Sequence, residues 1–199
     1  MKKIIPVALL ISFQLNSFAQ SRDDFNTWNP AAYGYDYIGG QAWPETRQSP
    51  YDRLPAAAEN SVRKEVWNLS RHTAGLYVQF RTGSPTLQVL YTVSGEKAFP
   101  HMPATGVSGI DLYARSSNGP WLWSAGRFSF KDTISYTFEN LNSDSNRVYT
   151  LYFPLYNQVS WMEIKVPHGY SLEPLKVNKQ KPIVVYGTDR KSTRLNSSH

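Results

Sequence analysis

The sequence predicts an all-β fold, an antiparallel sandwich of jelly-roll type followed by the first strand of an α/β unit. Three observations carry this expectation. From Val62 onward apolar and polar residues alternate in short runs, the period of strands with one buried face. Gly, Asn, Asp and Pro stand between the runs at the spacing of sandwich turns. Outside an apolar N-terminal run, no helix of respectable length is visible.

Met1–Ala19 has the layout of a secretory signal. Lys2 and Lys3 precede an apolar run, Ile4–Phe13, that is too short to span a bilayer, and Ser17-Phe18-Ala19 supplies the small residues of a cleavage site. The mature chain is expected to begin near Gln20, in a periplasm or outside the cell, with no membrane insertion after cleavage. The chain contains no cysteine, which excludes disulfides and thiolate metal sites. The formal charge of +6 includes Lys2 and Lys3, and a further net +2 comes from Arg190, Lys191 and Arg194 against Asp189, leaving +2 for residues 20–188. A charge that small removes the basis for a nucleic-acid partner.

Ser21–Glu59 is rich in Pro, Gly, Tyr and Trp without periodicity. It reads as an ordered lead-in pinned by its rings, with a short helical turn at Ala56–Ser61. Strands follow. Leu76, Val78 and Phe80 alternate with Tyr77, Gln79 and Arg81 until Thr82-Gly83-Ser84-Pro85; Leu87, Val89, Tyr91 and Val93 alternate until Ser94-Gly95. Further strands are expected at Gly109–Arg115, Trp121–Ser124, Ile134–Phe138, Val148–Phe153 and Val159–Val166. Pro154, inside LYFPLYN, marks an edge or a bend. The sandwich therefore occupies residues 20–178.

Residues 179–188 differ in kind. Ile183–Tyr186 is a non-alternating apolar run closed by Gly187, the pattern of a parallel strand buried on both faces. Asp189–His199, DRKSTRLNSSH, matches the in-frame translation of a common short-read library adapter. The natural sequence is expected to end at Thr188, and the strand to open a domain that is missing.

Four residues stand out as interface or ligand candidates: His101, Asp111, Trp121 and Trp123. Asp111 lies between apolar neighbours in PHMPATGVSGIDLY; it either bonds loop amides and fixes the HMPATG turn, which is the favoured reading, or contacts a ligand. His101 suits a ligand or acid–base role, but with His72 and His168 it shows no metal-ligand spacing, and neither metal nor cofactor is expected. Trp121 and Trp123 fall on one face of a strand. Buried, they fill the sandwich, the favoured reading; exposed, they form a platform for sugar rings. Phosphate-binding glycine loops and a G-x-S-x-G elbow are absent.

GQAWP (Gly40–Pro44), YDRLP (Tyr51–Pro55), VRKEVWNLS (Val62–Ser70), AGL (Ala74–Leu76), HMPATGVSGIDLY and LYFPLYN together resemble the N-terminal domain of SGNH/GDSL-type esterases. The family's G-x-D-L-Y signature is matched by Gly109, Asp111, Leu112 and Tyr113. The resemblance implies a β-sandwich ahead of a flavodoxin-like hydrolase, with O-acetylated carbohydrate as the substrate class. It also implies a nucleophilic serine directly after KPIVVYGT, where this chain has Asp189. The remaining catalytic parts, a late Asp-x-x-His among them, fall in the missing region. This chain is therefore expected to hold no catalytic residue and to be inactive alone. Its expected partner is the missing hydrolase domain. A stand-alone carbohydrate-binding module and a ligand-free structural domain are the other two readings.

Overall fold

The computed structural model describes residues 24–116 and 119–177. The expected signal at 1–19, the strand within 179–188 and the tail 189–199 lie outside the described residues.

Two antiparallel sheets face each other. The first contains β1 (Phe25–Trp28), β4 (Leu87–Val93), β7 (Gly126–Phe130), β8 (Ile134–Phe138) and β10 (Val159–Pro167), in the order β1-β10-β4-β8-β7. The second runs β11-β3-β9-β5-β6, from β11 (Glu173–Leu175), β3 (Tyr77–Arg81), β9 (Val148–Tyr152), β5 (Asp111–Arg115) and β6 (Leu122–Ser124). The short β2 (Ile38–Gly39) also pairs with β3. Every strand pair is antiparallel, so the all-β sandwich read from alternation is the observed fold.

Alternation sends one side chain in two to the space between the sheets. Leu87, Val89 and Tyr91 meet Val78, Phe80, Leu112 and Leu151 there, all without solvent exposure. Phe80 lies opposite Tyr149 in the β3–β9 register, and their rings stack at 5.5 Å. Each such side chain stabilises the fold by about 1.5–3 kcal/mol relative to leaving it in water.

The lead-in contains more structure than its sequence suggested. Trp28 is its pin. Its ring meets Phe80 edge-on at 6.1 Å, with Tyr33 and Tyr37 at 6.2 and 6.4 Å. α1 (Pro30–Tyr33) starts where the Asn29 side chain accepts from the Ala31 amide, with Pro30 in the first turn. The chain then makes 3₁₀ turns at Tyr35–Tyr37, Pro44–Thr46 and Ala56–Asn60. Tyr51 is buried and packs on Phe153 at 5.3 Å, tying YDRLP to LYFPLYN.

One helix was not expected. α2 (Lys64–Ser70) forms where the chain from Val62 onward reads as strands, and buries Trp67 and Ser70. A single heavy anchor on a helix this short gives no periodic signal. A second short helix, α3 (Ala104–Ser108), begins within the HMPATG segment and runs two residues past it. Pro154 falls past the end of β9, directly before the bend at 155–157.

Candidate functional site

The signature strand β5 divides its residues between two faces. Leu112 and Ala114 enter the core, while Asp111, Tyr113 and Arg115 point outward from the second sheet. Its neighbours add rings to that outer face. Trp123 lies opposite Tyr113 in the β5–β6 register, and Tyr152 lies opposite Asp111 across β9. Tyr152 meets Tyr113 edge-on at 5.8 Å and Tyr77 at 5.7 Å. The Arg115 guanidinium sits 4.8 Å from the centre of the Trp121 ring, within cation–π range.

The two tryptophans correct an expectation. Trp121 is 39% exposed and Trp123 59%. The cause is their place at the rim. β6 is an edge strand, and Leu122, on its other face, is 53% exposed as well, so this strand overhangs the core. Asp111 is corrected too. Its carboxylate is exposed, and its Oδ1 accepts a hydrogen bond from Trp123 Nε1 at 3.1 Å instead of bonding loop amides. With Tyr113, Thr150, Tyr152 and Leu155, Asp111 and Trp121 line a concavity of about 430 Å³.

His101 belongs to a different place. It is exposed on the HMPATG turn, stacked against Phe99 at 6.0 Å, and Phe99 in turn meets Tyr156. That turn is held from beneath by Asn157. Asn157 Oδ1 accepts from the Gly95 amide, while Nδ2 donates to the Glu96 carbonyl and to Ser108 Oγ, all within 2.9–3.0 Å. Tyr91 donates its phenol to the Ser108 carbonyl at 2.6 Å, and the Tyr156 amide donates to the Val107 carbonyl at 3.1 Å. HMPATGVSG and LYFPLYN are thus one structural unit, which explains why both segments are distinctive.

Burial pushes the Tyr136 phenol up to about 12, against an opposing hydrogen bond from the Ile110 backbone. Burial, with Tyr152 adding to it, also raises Tyr77. Both phenols stay neutral at physiological pH, Tyr77 packing on Tyr152 and Tyr136 on Tyr91 and Phe138. Among the described residues no histidine side chain is hydrogen-bonded to a serine, and no group of three or more His, Asp or Glu is placed to hold a metal. This face presents rings, a carboxylate and hydroxyls side by side.

Residues 25–172 match the model of the GxDLY family, the N-terminus of esterases of the SGNH hydrolase type. The chain belongs to this family. Within the GxDLY domain each letter of the signature has a physical task. A side chain at Gly109 would place its Cβ 2.2 Å from the Thr105 carbonyl oxygen. Asp111 holds the Trp123 indole, Leu112 fills the core, and Tyr113 lies against Tyr152.

A putative GDSL-like lipase from Bacteroides ovatus ATCC 8483 shares the fold, with a TM-score of 0.65 at 22% identity over 75% of this chain and 43% of that one. The salicylyl-acyltransferase SsfX3 from a tetracycline biosynthetic pathway aligns at a TM-score of 0.44, with 18% identity over 80% of this chain and 41% of that one. The GxDLY chain therefore spans less than half the length of these two solved proteins. No curated protein sequence matches it. Among the described residues no helix is long and apolar enough to cross a membrane.

Tyr113, Arg115, Thr150 and Tyr152 were not singled out as candidates in the sequence. Their signal was the outward phase of strands whose inward phase is unmistakable: Leu112 and Ala114 place Tyr113 and Arg115 outside.

Proposed function

We infer that this GxDLY chain is the accessory N-terminal domain of a secreted or periplasmic SGNH/GDSL-type serine esterase acting on O-acetylated carbohydrate, whose hydrolase domain follows Thr188. The observation that carries the reading is the family match over residues 25–172, to a domain that stands at the N-terminus of esterases of the SGNH hydrolase type. The apolar run Ile183–Tyr186 and the signal-like Met1–Ala19 support it. The strand order supports the jelly-roll form of the sandwich, since β3, β4 and β5 alternate between sheets and β1-β10-β4-β8 faces β3-β9-β5-β6. In the intact enzyme, a serine after Thr188 attacks the ester carbonyl, a histidine acts as base, and backbone amides stabilise the oxyanion. The GxDLY domain contributes shape and contacts, with no group of its own in the chemistry.

The test is the gene beyond the codon for Thr188. A serine codon there, followed by an α/β pattern and a late Asp-x-x-His, supports the reading, and the full-length product then deacetylates acetylated xylan. A gene that encodes Asp189 and stops after His199 overturns it. The exposure of Trp121 and Trp123 favours a second reading, a free-standing carbohydrate-binding module. That module retains its sugar affinity without any downstream domain.

A further inference from the structure

We propose that the concavity on the outer face of the second sheet is a subsite for an uncharged sugar ring, with Trp121, Tyr113 and Tyr152 as the stacking wall and Asp111 as hydroxyl acceptor. This rests on the carbohydrate part of the reading above, and adds a place and a chemistry to it. The volume of about 430 Å³ lies in the range of small-ligand sites, which are mostly apolar and carry a few placed polar groups. The wall is built for that mixture. Tyr113 and Tyr152 lock each other edge-on at 5.8 Å. Arg115 holds the Trp121 indole at 4.8 Å, and Trp121 still lines the concavity. A pyranose C–H face fits such rings, whereas its hydroxyls need acceptors close by.

Asp111 supplies the acceptor. Its Oδ1 receives the Trp123 indole N–H, and a carboxylate has about four lone-pair sites, so acceptor capacity remains. The Trp123 bond also orients the carboxylate beside the rings. Charge narrows the ligand further. The Asp111 carboxylate lines the concavity and disfavours an anionic uronate there, while Arg115 on the same face is held on the Trp121 ring. A protein partner fits less well. An apolar surface laid across this face strands the Asp111 carboxylate away from water, which is costly, and charged residues are depleted at interface cores.

The experiment is a titration of the full chain with uncharged hexasaccharides of xylose, glucose and mannose to about 10 mM, followed by tryptophan fluorescence and calorimetry. At least one is expected to bind. Trp121→Ala then weakens it about tenfold or more, and Asp111→Asn weakens it severalfold, while Trp43→Ala, an exposed tryptophan elsewhere on the surface, leaves it unchanged. Circular dichroism checks that each variant folds. No binding to any of the three glycans overturns the subsite, and so does binding that survives both Trp121→Ala and Asp111→Asn. The esterase reading is decided separately by the gene beyond Thr188. A chain without sugar affinity that proves to precede a hydrolase domain removes the subsite alone.

Discussion

Trp123 Nε1 donates to Asp111 Oδ1 across 3.1 Å, joining the signature strand to the edge strand beside it. Both residues are exposed, so water competes for the bond and its net worth is small. Asp111→Ala is expected to cost less than about 1 kcal/mol in urea unfolding. It should still shift the Trp123 indole N–H proton resonance, because that proton loses its acceptor. Asp111→Asn retains a carbonyl oxygen and should leave the resonance near its original position. A resonance indifferent to both substitutions means the pair does not persist in solution.

Gly109 is held by space, not by torsion. Its φ of −73° suits any residue, yet a Cβ would lie 2.2 Å from the Thr105 carbonyl oxygen and 2.9 Å from the Tyr136 phenol oxygen. Gly109→Ala must therefore push α3 away from β8, at a cost of about 1–3 kcal/mol. Gly119→Ala is the matched control. Its nearest neighbours are 3.9 Å away, and its effect should stay within about 0.5 kcal/mol. Thermal unfolding of the two variants side by side checks the contrast.

Alternation made most of the sandwich legible. Leu87–Val93 and Ile134–Phe138 are strands at the expected bounds, because each keeps an apolar residue at every second position. β1, β7 and β11 escaped because they are short strands with too few alternating apolar residues to show a period. Phe25 of β1 and Phe128 of β7 are both exposed, and β11 contains Pro174. At the site, the sequence marked Asp111 and the tryptophan pair, but local pattern could not say that β6 overhangs the core. That depends on which strand forms the edge of each sheet, a tertiary fact. His101 drew attention by its chemistry, yet it lies on the turn beside Phe99 and not in the concavity with Asp111.

Asn157 is the staple between the two signature segments. It is buried, and its amide serves the Gly95 amide, the Glu96 carbonyl and Ser108 Oγ at once. Asn157→Ala strands those groups and should cost about 3 kcal/mol, the upper part of the range for losing a buried polar partner. Asn157→Asp keeps the acceptor for Gly95 but loses both donations, so an intermediate loss is expected. Hydrogen exchange should localise the loosening to residues 95–109. Uniform loss of protection across the sandwich would mean that the network belongs to the global core instead.

His72 gives stability a dependence on pH. Burial holds its imidazole below the ordinary 6.5, and the neighbouring Arg53 adds to the effect. It lines a hollow with Arg71, Glu96 and Tyr156. The folded state therefore binds fewer protons at this position than the unfolded chain does, so stability rises with pH across the window between the lowered folded value and 6.5. The contribution is complete above 6.5 and is lost as pH falls through the folded value. Asp52 runs the other way. Burial raises its carboxyl above 3.8 against the pull of the Ser49 amide, Arg71 and Arg47, so its contribution is lost as pH rises through the raised folded value. Melting temperatures measured downward from pH 7.5 should decline once the His72 window is entered. His72→Gln, which cannot take up a proton, should flatten that decline, whereas an unchanged slope would assign the pH dependence to another group.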